Sequence, residues 1–138
     1  KNLIHKAEAL FSLNECNKSK IVNESAIKYA QEIEDKKSQL YSELLDIKIG
    51  NQLEGKNGKD KIDQLLSTHT DEEDIADIYY LKFGIECSDE TRNSALEAYQ
   101  RLYDKIPRYK FIDKIKELSE EFDTHIEEMD GIIIIENN

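Results

Sequence analysis

The sequence predicts an all-α fold of about seven helices joined by short turns, and three observations predict it. One proline, five glycines and few β-branched runs in 138 residues leave little of the punctuation that a many-stranded protein needs. Apolar residues recur at three- and four-residue steps, the spacing that lines one face of a helix. Turn and cap residues interrupt this pattern about every 15 residues, too often for a long coiled coil.

The first helix is expected over Leu3 to Asn17, with Leu3, Ala7, Leu10, Leu13 and Cys16 on one face. The second runs from about Lys20 to Glu34 on Ile21, Ala26, Ala30 and Ile33, and the third from about Lys36 to Leu53 on Leu40, Leu44, Ile47 and Ile49. Gly55 and Gly58, with Asn57, tolerate positive φ and end the third helix in a turn. A short fourth helix carries Ile62, Leu65 and Leu66. Thr70 and Glu73 stand at capping-box spacing and open a fifth helix, whose acidic first turn suits the positive end of the helix dipole. Ser88 or Asp89 caps a sixth helix, which Pro107 stops at about Ile106. The seventh spans about Tyr109 to Met129, and Gly131 ends it.

With 38% hydrophobic content the chain is long enough for one domain that buries about two-thirds of its unfolded surface. No run of about 18 apolar residues is present to span a membrane. A formal charge of -11 opposes binding to nucleic acid or an anionic membrane and favours a basic or apolar partner. Cys16 and Cys87, the two cysteines, have no neighbour at metal-binding or redox spacing. They read as free thiols in a reducing, cytoplasmic compartment, with a single disulfide between them as the alternative. The first residue is Lys1, and the chain reads as a fragment excised from a larger protein.

An internal period runs through the helices. Leu10-x-x-Leu13-Asn14, Ile49-Gly50-x-x-Leu53, Tyr80-x-x-Phe83-Gly84 and Ile115-x-x-Leu118-Ser119-x-x-Phe122 place short side chains at Asn14, Gly50, Gly84 and Ser119, with separations of 36, 34 and 35 residues. The intervening helices carry Ala26, Ala30 and Ile33, then Ile62 and Leu66, then Ala95, Tyr99 and Leu102 before Pro107. This resembles the tetratricopeptide repeat family over about residues 3 to 128. Departures are Asn14 at a small-residue position, Asp46 at a large anchor position, and a one-residue deletion between Gly84 and Ala95. The resemblance implies a right-handed α-solenoid of antiparallel helix pairs, three units plus a terminal helix, over residues 1–130, followed by an apolar tail or linker at 131–138. The other readings of the pattern are a non-repetitive helical bundle and another kind of α-solenoid.

The resemblance also implies a groove. Helix A of each unit lines the concave face, and the positions three before and one after the small residue face the ligand. In this sequence they are Phe11 and Glu15, Ile47 and Asn51, Leu81 and Ile85, and Lys116 and Glu120. Phe11, Ile47 and Leu81 do not supply the lysine and asparagine with which chaperone-tail-binding members clamp a carboxylate, so an apolar-anchored peptide or helix is expected instead. The fifth helix is apolar almost all round, so Leu81 is open to a second reading, as core.

Charge is banded. Residues 71 to 90 carry a net -7, 91 to 116 a net +4, and 117 to 138 eight acids and no base. The bands read either as neighbouring helices attracting one another or as an acidic strip that steers a basic peptide. Glu121, His125 and Glu128 share a helical face but lack a further metal ligand, and a solvated polar face is the simpler reading. The tail Ile132 to Ile135 reads as a terminal segment, or as a strand shared with a neighbouring domain or a second copy.

No phosphate loop, nucleophile motif or distinct carboxylate pair points to catalysis, and no cofactor or metal is expected. The expected function is a non-catalytic protein-interaction module whose partner is a protein or peptide with apolar anchors and basic flanks. Self-association through the tail or last helix is a further expectation. The alternative is the helical domain of a multidomain regulator that senses a peptide or small ligand, a use to which tetratricopeptide-like domains of peptide-responsive bacterial regulators are similar.

Overall fold

The computed structural model describes residues 2–130, and the side chains of residues 3–119. Among the described residues there are seven helices and no strand: α1 Asn2–Ser12, α2 Cys16–Glu32, α3 Lys36–Glu54, α4 Lys59–Thr68, α5 Glu72–Glu86, α6 Asp89–Lys105 and α7 Tyr109–Asp130. No helix is long and apolar enough to cross a membrane. The chain divides into two compact units, Lys1–Leu65 and Leu66–Asn138.

Two turns of the first unit fall where no glycine marks them. Asn14 (φ 63) and Glu34 (φ 55) are left-handed. In the first turn Glu15 N–H donates to Leu10 O and Asn14 N–H to Phe11 O; in the second Asp35 N–H donates to Ala30 O and Glu34 N–H to Gln31 O. Both are Schellman ends, in which the last carbonyls of a helix are satisfied by the two residues that leave it. The residue that completes each turn, Glu15 or Asp35, is also the first flanking residue of the next helix. Asp35 then accepts from Ser38 N–H at 3.1 Å, which fixes the start of α3.

These turns correct the expected boundaries. The first helix stops at Ser12 rather than Asn17, and the second starts at Cys16 rather than Lys20. Leu13 therefore lies in a turn, 69% exposed, and Cys16 joins the buried face of α2. That face is Cys16, Ser19, Asn23, Ala26 and Ala30, at alternating three- and four-residue steps. Ile21 and Ile33, expected on it, are exposed. Small and polar residues take their place because they let the helices approach and because the Ser19 hydroxyl and the Asn23 amide nitrogen each find an acceptor across the seam, although the buried Asn23 Oδ1 has no partner. Ser19 Oγ donates to Ala7 O on α1 at 2.6 Å, and Asn23 Nδ2 donates to Ser42 O on α3 at 2.8 Å. Burying such groups is inexpensive only when they are bonded. Thus α2 is stitched to both neighbours, while Ala7 meets Leu45 and Ile49 in a cluster flanked by Phe11 and Val22.

In the second unit α5 packs on α6 and α6 on α7. The core holds Ala76, Ala95, Ala98, Tyr99, Leu102, Phe111 and Leu118. Tyr99 is 2% exposed, meets Tyr80 edge-on and Phe111 at a tilt, and donates its hydroxyl to Asp77 Oδ1 at 2.7 Å. Burial first, and the Asp77 carboxylate next, push the Tyr99 phenol well above the ordinary tyrosine range. Residues 72–83 of α5 are buried or half-buried without exception, and α6 is the helix that packs on both of the others.

The caps follow local chemistry. The start of α5 is one residue later than expected, because Asp71, not Thr70, adopts the extended cap conformation and accepts from Asp74 N–H. For α6 the cap is Ser88, whose Oγ accepts from Thr91 N–H. Ile106 is extended ahead of Pro107, as that proline requires. Cys87, left-handed at φ 53, ends α5. Cys16 and Cys87 are both free thiols.

Candidate functional site

The charge bands of the sequence meet inside the second unit. Lys105 at the end of α6 pairs with Glu72, and Lys110 at the start of α7 pairs with Glu73. Further along, Tyr80 donates its hydroxyl to Glu117, and Lys114 Nζ sits 3.6 Å from the Tyr80 ring centroid. The acids at the start of α5 thus have basic neighbours within their own unit. The pairs Glu73 with Lys110 and Tyr80 with Glu117 are each 37 residues apart, so α5 and α7 run parallel with one constant offset.

The expected groove residues have varied surroundings. Ile47 and Leu81 are buried, at 7% and 3% exposure. Phe11 is half-buried against the Ala7, Leu45 and Ile49 cluster. Glu15 and Ile85 are half-buried, and Glu15 pairs with Lys18. Asn51 is half-buried and donates through Nδ2 to Lys56 O at 3.0 Å, closing the turn after α3. Lys116 is exposed. The side chains of Glu120, Glu121, His125 and Glu128 lie outside the described side chains, and the Ile132 to Ile135 tail lies outside the described residues. Within the first unit Phe11 belongs to the α1–α3 cluster, whereas Ile47 and Asn51 serve the turn that follows α3.

That turn borders an open concavity of about 560 Å³, within the range of small-ligand and peptide pockets. Its walls are Lys20 and Glu24 of α2, the turn residues Lys56 and Gly58, and Lys61 of α4. Its floor is the second half of α3, where Asp46, Ile47, Ile49, Gly50 and Leu53 line it. Gly58 is required by two constraints. Its φ is +63, and a Cβ there would stand 2.6 Å from Ile47 Cγ2. Lys56 pairs with Glu54 at 3.4 Å and Lys61 with Glu43 at 3.8 Å.

Gly50 has no such constraint. It lies inside α3, and a Cβ built on it would meet nothing within 4 Å. The same holds for Gly84 in α5. Close approach of paired helices, which the repeat resemblance assigns to both positions, therefore does not account for either glycine. Asn14, at the corresponding position of the first unit, is not helical. Among the described residues no group of three or more His, Cys, Asp or Glu side chains is placed to hold a metal ion.

The concavity was not legible in the sequence, because its residues come from two helices, a turn and the start of a third. Its one local signal is a glycine within a helical run, where glycine costs about 1 kcal/mol relative to alanine. No protein-family model, curated protein or solved structure matches this chain.

Proposed function

We propose that this chain is a non-catalytic protein-interaction module, built on tetratricopeptide-like helix pairs that stack as a right-handed solenoid. Support for the repeat comes from the second unit, where α5 and α7 run parallel and exchange contacts at a constant offset close to the sequence period. Support for binding comes from a single observation, the open concavity over α3. Of the apolar anchors first expected, Phe11, Ile47, Leu81 and Ile85, Ile47 and Leu81 are core residues and Phe11 and Ile85 are half-buried, so affinity is assigned to the rim of this concavity and its exposed Leu53. An elongated partner segment suits a recess that is open to solvent and mixes apolar and charged walls.

Photo-crosslinking tests this reading. A benzophenone side chain is placed at Leu53, which is 38% exposed in the concavity, or at the exposed Glu97 of α6, and each folded protein is irradiated in lysate of the source organism. A discrete crosslinked protein from position 53 and none from position 97 is the expected result. No crosslinked product from position 53, with circular dichroism confirming the fold, overturns it.

A further inference from the structure

The turn between α3 and α4 holds the chain's one asparagine followed by glycine, Asn57-Gly58. Such a pair is prone to attack by its own backbone, because glycine has no Cβ to crowd the five-membered ring that forms. The fold requires this glycine for a separate reason: its φ is +63, and a Cβ there would stand 2.6 Å from Ile47 Cγ2. Packing therefore fixes a reactive pair at the surface, for Asn57 is exposed and residues 55–58 belong to no helix.

The bonds around the turn leave the nucleophile unused and favour the electrophile. Gly55 N–H donates to Asn51 O at 3.0 Å, Asn51 Nδ2 donates to Lys56 O at 3.0 Å, and Gly58 O accepts from Ile62 N–H at 2.8 Å. None of these bonds uses the Gly58 N–H, whose nitrogen makes the attack. Asn57 Oδ1 accepts from Lys59 N–H at 3.0 Å, so a fixed donor polarises the side-chain carbonyl and is in place for the oxyanion that forms there. Other exposed asparagines lack this arrangement. Asn14 also lies in a turn, but there the following N–H, that of Glu15, is held by Leu10 O at 2.9 Å. Asn93 is inside α6, where helical geometry directs the next N–H, that of Ser94, toward the preceding turn.

We propose that Asn57 is a site of spontaneous covalent modification, at which a succinimide forms with Gly58 and reopens to aspartyl and isoaspartyl forms, the second of which releases the turn. This goes beyond the interaction reading and does not depend on it. The Gly58 nitrogen, giving its proton to solvent base, adds to Asn57 Cγ; the adduct expels the side-chain nitrogen as ammonia and leaves the cyclic imide. Water then opens either ring C–N bond. Opening at Cγ gives an aspartyl side chain on the original backbone. Opening at the main-chain carbonyl routes the backbone through Cβ and Cγ and leaves that carbonyl carbon as a free carboxylate. Water is consumed and ammonia released in equal amounts, with no change of oxidation state.

The products differ in their fit. The aspartyl carboxylate keeps the oxygen that accepts from Lys59 N–H, at the positive end of α4. The isoaspartyl form draws that oxygen into a lengthened backbone and displaces Gly58 from its place against Ile47. Lys56 and Gly58 also border the concavity over α3, so the same step reshapes its wall.

The test ages the whole chain at mildly alkaline pH, folded or unfolded in guanidinium chloride, and reads it by peptide mapping with electron-transfer fragmentation, which distinguishes the products. In the unfolded chain the ratio of conversion at Asn57 to that at Asn93 reflects sequence alone. Folding is expected to raise this ratio at least about ten-fold, while slowing Asn57 itself by less than about ten-fold. Isoaspartate is expected to accumulate at 57 in the folded chain. Separated by ion exchange, the isoaspartyl form is expected to melt about 3 °C below the fresh chain, and Asn57→Asp within about 1 °C of it.

Slowing of Asn57 on folding by more than about ten-fold, or by as much as Asn93, would mean that the turn shields the amide and would overturn the site. So would aspartate without isoaspartate at 57, since that product pattern bypasses the cyclic imide. An isoaspartyl form that melts with the fresh chain would overturn the release of the turn. The crosslinking result from position 53 bears on none of these outcomes, so this inference and the interaction reading fail separately.

Discussion

Ser19, with its side chain fully buried, contributes more to this fold than Ile21, which is 67% exposed. The ordinary hydrophobicity ranking reverses here because Ser19 lies between two helices and donates to a backbone carbonyl, whereas Ile21 points away from them. Ser19→Leu is expected to destabilise by about 2 kcal/mol through overpacking, and Ile21→Ser by less than about 0.5 kcal/mol. Urea midpoints of the two variants check this; equal losses would refute the seam. Tyr99 carries a pH dependence. Its folded pKa is raised, so the stability that its neutral phenol contributes is complete below the unfolded tyrosine value near pH 10 and is lost as pH rises above it. Between pH 8 and pH 11 the native chain is expected to lose stability with a component of up to about 1.4 kcal/mol per pH unit above pH 10, and Tyr99→Phe to lose that component. Parallel urea-midpoint curves for the two proteins would exclude Tyr99 as the source.

At the scale of the element, the turns decide where helices end. Glu34 is left-handed without being glycine, a conformation that costs about 1–2 kcal/mol for a residue with a Cβ. Glu34→Gly is expected to raise stability by about 0.5–1 kcal/mol, since relief of that strain exceeds the entropy glycine adds to the unfolded chain. The converse holds at Gly58, where positive φ and the nearness of Ile47 act together. Gly58→Ala is expected to cost about 2–3 kcal/mol in the urea midpoint. If Glu34→Gly destabilises, or Gly58→Ala is neutral, the assigned turn geometry is wrong. On α3 and α6 the apolar residues expected from the sequence, Leu40, Leu44, Ile47, Ile49, Ala95, Tyr99 and Leu102, are all buried, but α3 is buried on a second side as well, through Ser42 and Leu45, which the spacing did not mark. The face of α2 was not legible from period. Its seam is made of serine, asparagine and alanine, and an apolar count follows the isoleucines instead.

For the whole molecule, each unit carries its own buried cluster, the first around Ala7, Leu45 and Ile49 and the second around Tyr99. The boundary falls within α4, between Leu65 and Leu66. A fragment of residues 1–70, which keeps α4 whole, is expected to be helical by circular dichroism. It is expected to melt cooperatively below the full chain, since a domain of this size buries proportionately less surface. A fragment without helical signal would show that the first unit depends on the second. Composition and period determined the helical class, the number of helices and the stops at Gly55 and Pro107, because those depend on backbone chemistry local to each residue. Only the tertiary structure decided which polar residues are buried, that the acids of α5 meet the lysines of α6 and α7, and that Gly50 floors an open recess. Those properties depend on partners distant in sequence, and a residue's own type does not specify the partner it meets.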